Sequence, residues 1–114
     1  MKQKRLLVGI SGASGMPIAV ELLRALKVSQ TEVHLICTDS AVKTLSLETD
    51  NPINEIQSLA DAVYDSHNIG AAPASGSFPM DGMAVVPCSM KTLAGIHSGY
   101  SDNLLLRAAD VTLK

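Results

Sequence analysis

A chain of 114 residues with 46% hydrophobic and 18% charged side chains has room for one small domain and little more. Its net charge of −2, with no Lys or Arg run beyond the first five residues, excludes a nucleic-acid footprint. Two distant cysteines, Cys37 and Cys88, give no support to a disulfide framework or a zinc motif. The mean hydropathy of +0.23 is high for a small monomer and points to apolar surface covered between subunits.

The basic start, Met1 to Arg5, and the apolar run after it are too short for a signal peptide or a membrane span, and Glu21, Arg24 and Lys27 follow closely. A reducing cytoplasm is the expected compartment. Leu6 to Ile10 is an unbroken apolar run between charge and Ser11-Gly12-Ala13-Ser14-Gly15, the pattern of a parallel strand buried on both faces. From Pro17 the period changes. Ile18, Leu22, Leu23 and Leu26 are expected to face the core and Glu21, Arg24 and Lys27 the solvent, with Pro17 in the first turn of the helix. Glu32 to Cys37 reads as a second strand, and Thr38, Asp39 or Ser40 can cap a helix carrying Ala41, Leu45 and Leu47.

Asn51-Pro52 breaks the chain before a short helix around Glu55 to Ala60, and the Gly-, Ala-, Ser- and Pro-rich stretch from His67 to Asp81 reads as a long loop. Met83 to Pro87 is the next strand. Cys88 to Thr92 opens a helix through Leu93 and Ile96, and a last helix runs from about Asn103 to Val111. Alternating strands and helices predict an α/β fold on a parallel sheet.

Ligands of open parallel sheets bind beyond the carboxyl ends of the strands, which directs attention to Ser11–Gly15, Thr38–Ser40 and Cys88–Thr92. All three loops are small and rich in hydroxyls, which suits a phosphate held by N–H groups and helix dipoles. Singly they are weak signals. Gly12 to Gly15 has neither dinucleotide nor P-loop spacing and could be a plain tight turn, and Thr38 alone reads as a helix cap. Lys91 in a first helical turn opposes the dipole, a cost that a bound anion would remove. No histidine among His34, His67 and His97 pairs with a nucleophile. Cys88, at a helix start, is a weak candidate for a lowered thiol pKa.

Together the motifs become specific. Gly9-Ile10-Ser11-Gly12-Ala13-Ser14-Gly15, Glu48-Thr49, Ala74-Ser75-Gly76-Ser77, Pro87 to Ile96, and Asp102-Asn103-Leu104 followed by Arg107-Ala108-Ala109-Asp110-Val111 and Leu113-Lys114 closely resemble, in order and spacing, the UbiX-type flavin prenyltransferases. The resemblance implies a Rossmann/flavodoxin-like three-layer sandwich with a parallel sheet. It also implies a single FMN-binding domain over residues 1–114, truncated at the C-terminus relative to the family, and a homododecamer with active sites where subunits meet. The implied reaction joins a dimethylallyl group from dimethylallyl phosphate to reduced FMN, for use by a UbiD-type decarboxylase.

Carried over by position, Gly12, Ala13 and Ser14 match the first flavin loop, with Ser14 near the reacting flavin and the substrate phosphate. Thr38 stands where the family usually has Ser and would contact the FMN phosphate, and Ser89, Met90, Lys91 and Thr92 match the second flavin loop. Arg107 and Lys114 match basic residues of the active site; with Ser14 they are the expected catalytic set. Two alternatives remain: an FMN-dependent decarboxylase of the cysteine-decarboxylating flavoproteins, against which Pro87 to Thr92 argues, and a non-catalytic FMN-binding fragment.

Overall fold

The computed structural model describes residues 3–114; Met1 and Lys2, part of the basic start, lie outside the described residues. Four strands, β1 (Arg5–Ile10), β2 (Glu32–Cys37), β3 (Ala62–Asp65) and β4 (Gly82–Val85), form one sheet in the order β3-β2-β1-β4. Every pairing is parallel, with Val8 opposite Leu35 and Ala84, and Leu35 opposite Val63. The helices are α1 (Met16–Val28), α2 (Asp39–Glu48), α3 (Ile53–Gln57), α4 (Met90–Ser98) and α5 (Leu104–Leu113). Among the described residues, no helix is long and apolar enough to cross a membrane.

Alternation along β1 divides the core between the two faces of the sheet. Val8 and Ile10 join Val33 and Leu35 of β2 against Met16, Ala19, Val20 and Leu23 of α1, while Leu7 and Ile36 point the other way against Leu104, Leu105 and Ala108 of α5. Helices on both faces make the three-layer α/β sandwich expected from the sequence. Each fully buried aliphatic side chain contributes about 1.5–3 kcal/mol of transfer free energy, and Leu7, Val8, Leu23, Leu35, Leu104 and Leu105 are all 0% exposed.

The structure corrects some assignments. The buried stripe of α1 is Met16, Ala19, Val20 and Leu23, at i, i+3, i+4 and i+7, which turns Ile18 outward at 66% exposure. Leu47 likewise points to solvent from the last turn of α2. The short middle helix covers Ile53–Gln57, starting earlier than the sequence suggests. β3 has no strong signal because it is a four-residue edge strand whose Val63 and Asp65 are exposed. The 67–81 segment is the expected loop apart from one 3-10 turn, Ala72–Ala74.

α5 begins at the carboxyl end of the sheet, where the Leu104 N–H donates to Ser66 O at 2.8 Å. Its last turn packs near Phe78, Pro79 and Met80, beside the start of β4. That direction separates the two cationic residues expected at the site.

Candidate functional site

The three polar loops converge at the carboxyl ends of β1, β2 and β4. The Thr38 N–H donates to Ile10 O at 3.0 Å and the Ser11 N–H to Pro87 O at 3.2 Å, so the ladder continues past the strand ends and draws the loops together. Gly12 lies so close to α2 that a Cβ there would stand 2.5 Å from Ser40 Cβ. Between the loops is a cleft of about 50 Å³, lined by the predicted Gly12, Thr38, Ser89, Lys91 and Thr92. Ser11 and Ser40 of the expected loops line it too, and so does Asn103, which lies outside those loops.

The hydrogen bonds already made by the lining set what this cleft can hold. Thr38 Oγ1 accepts from the Ala41 N–H at 3.1 Å, which leaves its hydroxyl hydrogen to donate. Ser89 Oγ accepts from the Thr92 N–H at 3.1 Å and donates to Thr92 Oγ1 at 2.9 Å. Thr92 Oγ1 therefore keeps its own hydrogen for a further partner. Asn103 Oδ1 accepts from the Leu106 N–H at 2.9 Å, leaving the side-chain NH₂. With the Lys91 ammonium, the remaining capacity of the lining is donor-rich and positive. The first turn of α4 carries no acidic residue, so its helix dipole is uncompensated. The chemistry fits an anion.

The first loop serves α1 differently. Gly15 adopts φ 108°, which favours glycine, and it aims two N–H groups at the end of α2. Glu48 Oε1 accepts from Gly15 N and Met16 N, both at 3.0 Å. The Met16 N–H bond holds the Glu48 carboxyl below the ordinary carboxylate value; partial burial opposes it, and the Gly15 N–H and Ser14 hydroxyl add to it. The positive end of α1 is thus occupied by a side chain. Glu48 was visible in sequence only as half of the Glu48-Thr49 motif, and its bonds to the Gly15 and Met16 N–H groups arise from folding.

The other predicted residues are spread around this centre. Ala13, Ser14 and Met90 do not line the small cleft; Ser14 is exposed at the entry to α1. Arg107 is exposed on α5, one turn beyond Asn103, whose carbonyl accepts its N–H at 3.1 Å. Lys114 is at the opposite end of α5, about 15 Å along the helix axis from Leu104, with its ammonium 3.1 Å from Asp110 Oδ2. Within one chain, Lys114 is not brought to the three loops.

Cys88 departs from the sequence expectation: burial pushes its thiol up, not down. Cys37 is pushed up to about 11 by burial, so both behave as small apolar groups. His34 is a satisfied core residue, with Nε2 at 2.6 Å from Glu32 Oε2 and Nδ1 at 2.8 Å from Tyr64 Oη. A larger groove of about 700 Å³, near Lys4, Lys27 and Asp61, lies at the amino ends of the strands, away from the edge where parallel sheets bind ligands.

A family model described as Flavoprotein matches residues 1–114. The chain is 54% identical to flavin prenyltransferase UbiX of Escherichia coli K12 over 112 residues, 97% of this chain and 59% of that protein. It is 51% identical to a probable UbiX-like flavin prenyltransferase of Sedimentibacter hydroxybenzoicus over 111 residues, 96% and 59% of the two chains. Among solved structures it matches AnUbiX (PadA1) in complex with FMN and dimethylallyl pyrophosphate, with TM-score 0.96, 44% identity, and coverage of 98% and 60%. It also matches a dodecameric FMN-dependent UbiX-like decarboxylase from Escherichia coli O157:H7, with TM-score 0.93, 47% identity, and coverage of 96% and 60%. The FMN-dependent cysteine decarboxylase SpaF, at 22% identity and TM-score 0.72, shares the fold alone. The chain spans about three-fifths of the length of these UbiX relatives. The match along the whole chain, on a site already donor-rich by its own geometry, means that this protein belongs to the flavoprotein family, with its close similarity to the UbiX-type flavin prenyltransferases.

Proposed function

We propose that residues 1–114 form an FMN-binding domain of a flavin prenyltransferase that transfers a dimethylallyl group from dimethylallyl phosphate to reduced FMN. The observation that carries this reading is the cleft where Thr38, Lys91, Thr92 and Asn103 offer donors left over from their internal hydrogen bonds. At about 50 Å³ it is far smaller than the roughly 300–1,000 Å³ of a whole-ligand pocket, so it suits a phosphate end group, with the ring system lying outside it. When bound, reduced FMN supplies the electron-rich N5 and C6 that accept the prenyl carbons as the carbon–oxygen bond of dimethylallyl phosphate breaks.

The residues of this chain supply binding and proton transfer. Gly12, Thr38, Ser89, Lys91 and Thr92 line the cleft that holds the cofactor phosphate, Ala13 and Met90 meet the flavin outside that cleft, and Ser14 beside Glu48 moves a proton toward the departing phosphate. Arg107 holds that phosphate by paired N–H donors. Lys114, at the far end of α5, would reach an active site on a neighbouring subunit. A dodecamer accords with the exposed Ile18, Leu47, Met90 and Leu93, large side chains whose exposure suits a covered surface. The product would pass to a UbiD-type decarboxylase, and two unpaired cysteines suit a reducing cytoplasm.

The test is an FMN titration of the purified protein by flavin fluorescence, followed by dimethylallyl phosphate with reduced FMN under anaerobic conditions and mass analysis of the flavin. Saturable binding and a prenylated flavin are expected. Binding without turnover would leave a flavin-binding domain that is not an enzyme by itself, and no binding would remove the reading.

A further inference from the structure

Ser11, unlike Thr38 and Thr92, has no hydroxyl hydrogen left to offer a ligand, because it spends that hydrogen across the sheet end on the loop after β4. It is 1% exposed. Its Oγ donates to Pro87 O at 2.9 Å and accepts from the Ser89 N–H at 2.7 Å. Its own N–H also donates to Pro87 O. Three bonds therefore tie the residue just after β1 to residues of the loop after β4, 76 and 78 positions away in sequence. The tie meets the third loop next door, because Gly12 abuts Ser40.

We infer that Ser11 is a positioning residue for cofactor binding: its hydroxyl sets the register of the first loop against Ser89, and so the spacing of the donors that receive the FMN phosphate. Ser89 is the N-cap of α4, and its Oγ orients Thr92 through two further bonds. A shift at Ser89 therefore moves the Thr92 hydroxyl and the Lys91 backbone together. An alanine at position 11 leaves the Ser89 N–H without its partner at the edge of a buried cleft, while Pro87 O keeps the Ser11 N–H. The loss falls on the loop after β4, where an unmade bond is costly. This inference rests on the FMN reading, yet it concerns a residue whose hydroxyl is bonded within the protein on both sides.

The experiment compares Ser11→Ala with the unaltered protein in titrations of FMN and of riboflavin, at a temperature where circular dichroism shows both folded. Ser11→Ala should weaken FMN binding about 10-fold, the loss of one or two buried hydrogen bonds, and should lower the ratio of FMN to riboflavin affinity. Unchanged FMN affinity overturns the inference, as does an equal loss for both ligands, which would make Ser11 a general stabiliser. If Ser11→Ala does not fold, Ser11→Cys, which keeps the shape with a weaker donor, is read in its place. A smaller loss confined to FMN supports positioning, and no loss overturns it. Failure of the unaltered protein to bind FMN would instead sink the reading beneath.

Discussion

Glu48 and Met16 stand 32 positions apart, and a single carboxylate oxygen of Glu48 receives the N–H groups of Met16 and Gly15 at 3.0 Å each. The end of one helix thereby caps the start of another. A pH dependence follows. These bonds keep the Glu48 carboxyl below its ordinary value of 4.5, so its contribution is present in full above that value. It is lost as pH falls through the lowered one. Glu48→Gln should lower the thermal midpoint at neutral pH and reduce the loss of stability below pH 4.5, measured by thermal melts across the acid range. Parallel pH profiles for the two proteins would show that the bond does not couple to stability.

Gly12→Ala tests the closeness of two loops. The added methyl would meet Ser40 Cβ at 2.5 Å, so α2 or the first loop must move. A destabilisation of about 1–3 kcal/mol is expected from overpacking, with FMN binding weakened as well. Urea unfolding and FMN titration read the two effects.

Thr38 Oγ1 caps α2 and keeps a hydrogen that the proposed function gives to the FMN phosphate. Thr38→Ala should cost about 1 kcal/mol as a lost helix cap and weaken FMN binding by removing a phosphate donor. Thr38→Ser retains both the acceptor for Ala41 and the free hydrogen, so it should behave like the unaltered protein in chemical unfolding and in titration.

Ser14 is exposed at the entry to α1 and outside the phosphate cleft. Replacing it by Ala should leave FMN affinity nearly unchanged and slow prenyl transfer by roughly 100-fold, within the range for a lost proton-transfer group. Single-turnover rates with reduced FMN would measure it, and an unaltered rate would take Ser14 out of the mechanism.

Arg107 projects from the exposed face of α5. Arg107→Ala should raise KM for dimethylallyl phosphate by roughly 10- to 100-fold, the value of a lost charge-assisted bond, with FMN affinity little changed. Equal losses in both would assign Arg107 to the cofactor instead.

The central elements were legible because their signals are local. Leu6 to Ile10 is apolar at consecutive positions, which only a strand covered on both faces demands, and the hydroxyl-rich loops fall at strand ends where a parallel sheet opens. β3 left little trace, since a short edge strand with one wet face needs few apolar residues. The facing of α1 also escaped periodicity alone: Ile18 and Ala19 are neighbours in sequence, and contact with β1 and β2 decided which one was buried.

By itself the sequence determined the alternation of strands and helices, the loops that bear donors and the family to which they belong, all properties of residue type and spacing along the chain. Only the tertiary structure decided which hydroxyls are free. Ser11, Thr38 and Thr92 have the same chemistry, but Ser11 spends its hydroxyl on Pro87 and Ser89, while Thr38 and Thr92 keep a hydrogen for a ligand. Glu48 and Lys114 were likewise sorted by folding, one brought to the start of α1 and the other carried to the far end of α5. The reason is physical: a hydrogen bond is satisfied or left open by atoms a few ångströms away in space, and those atoms belong to residues that the chain order keeps apart.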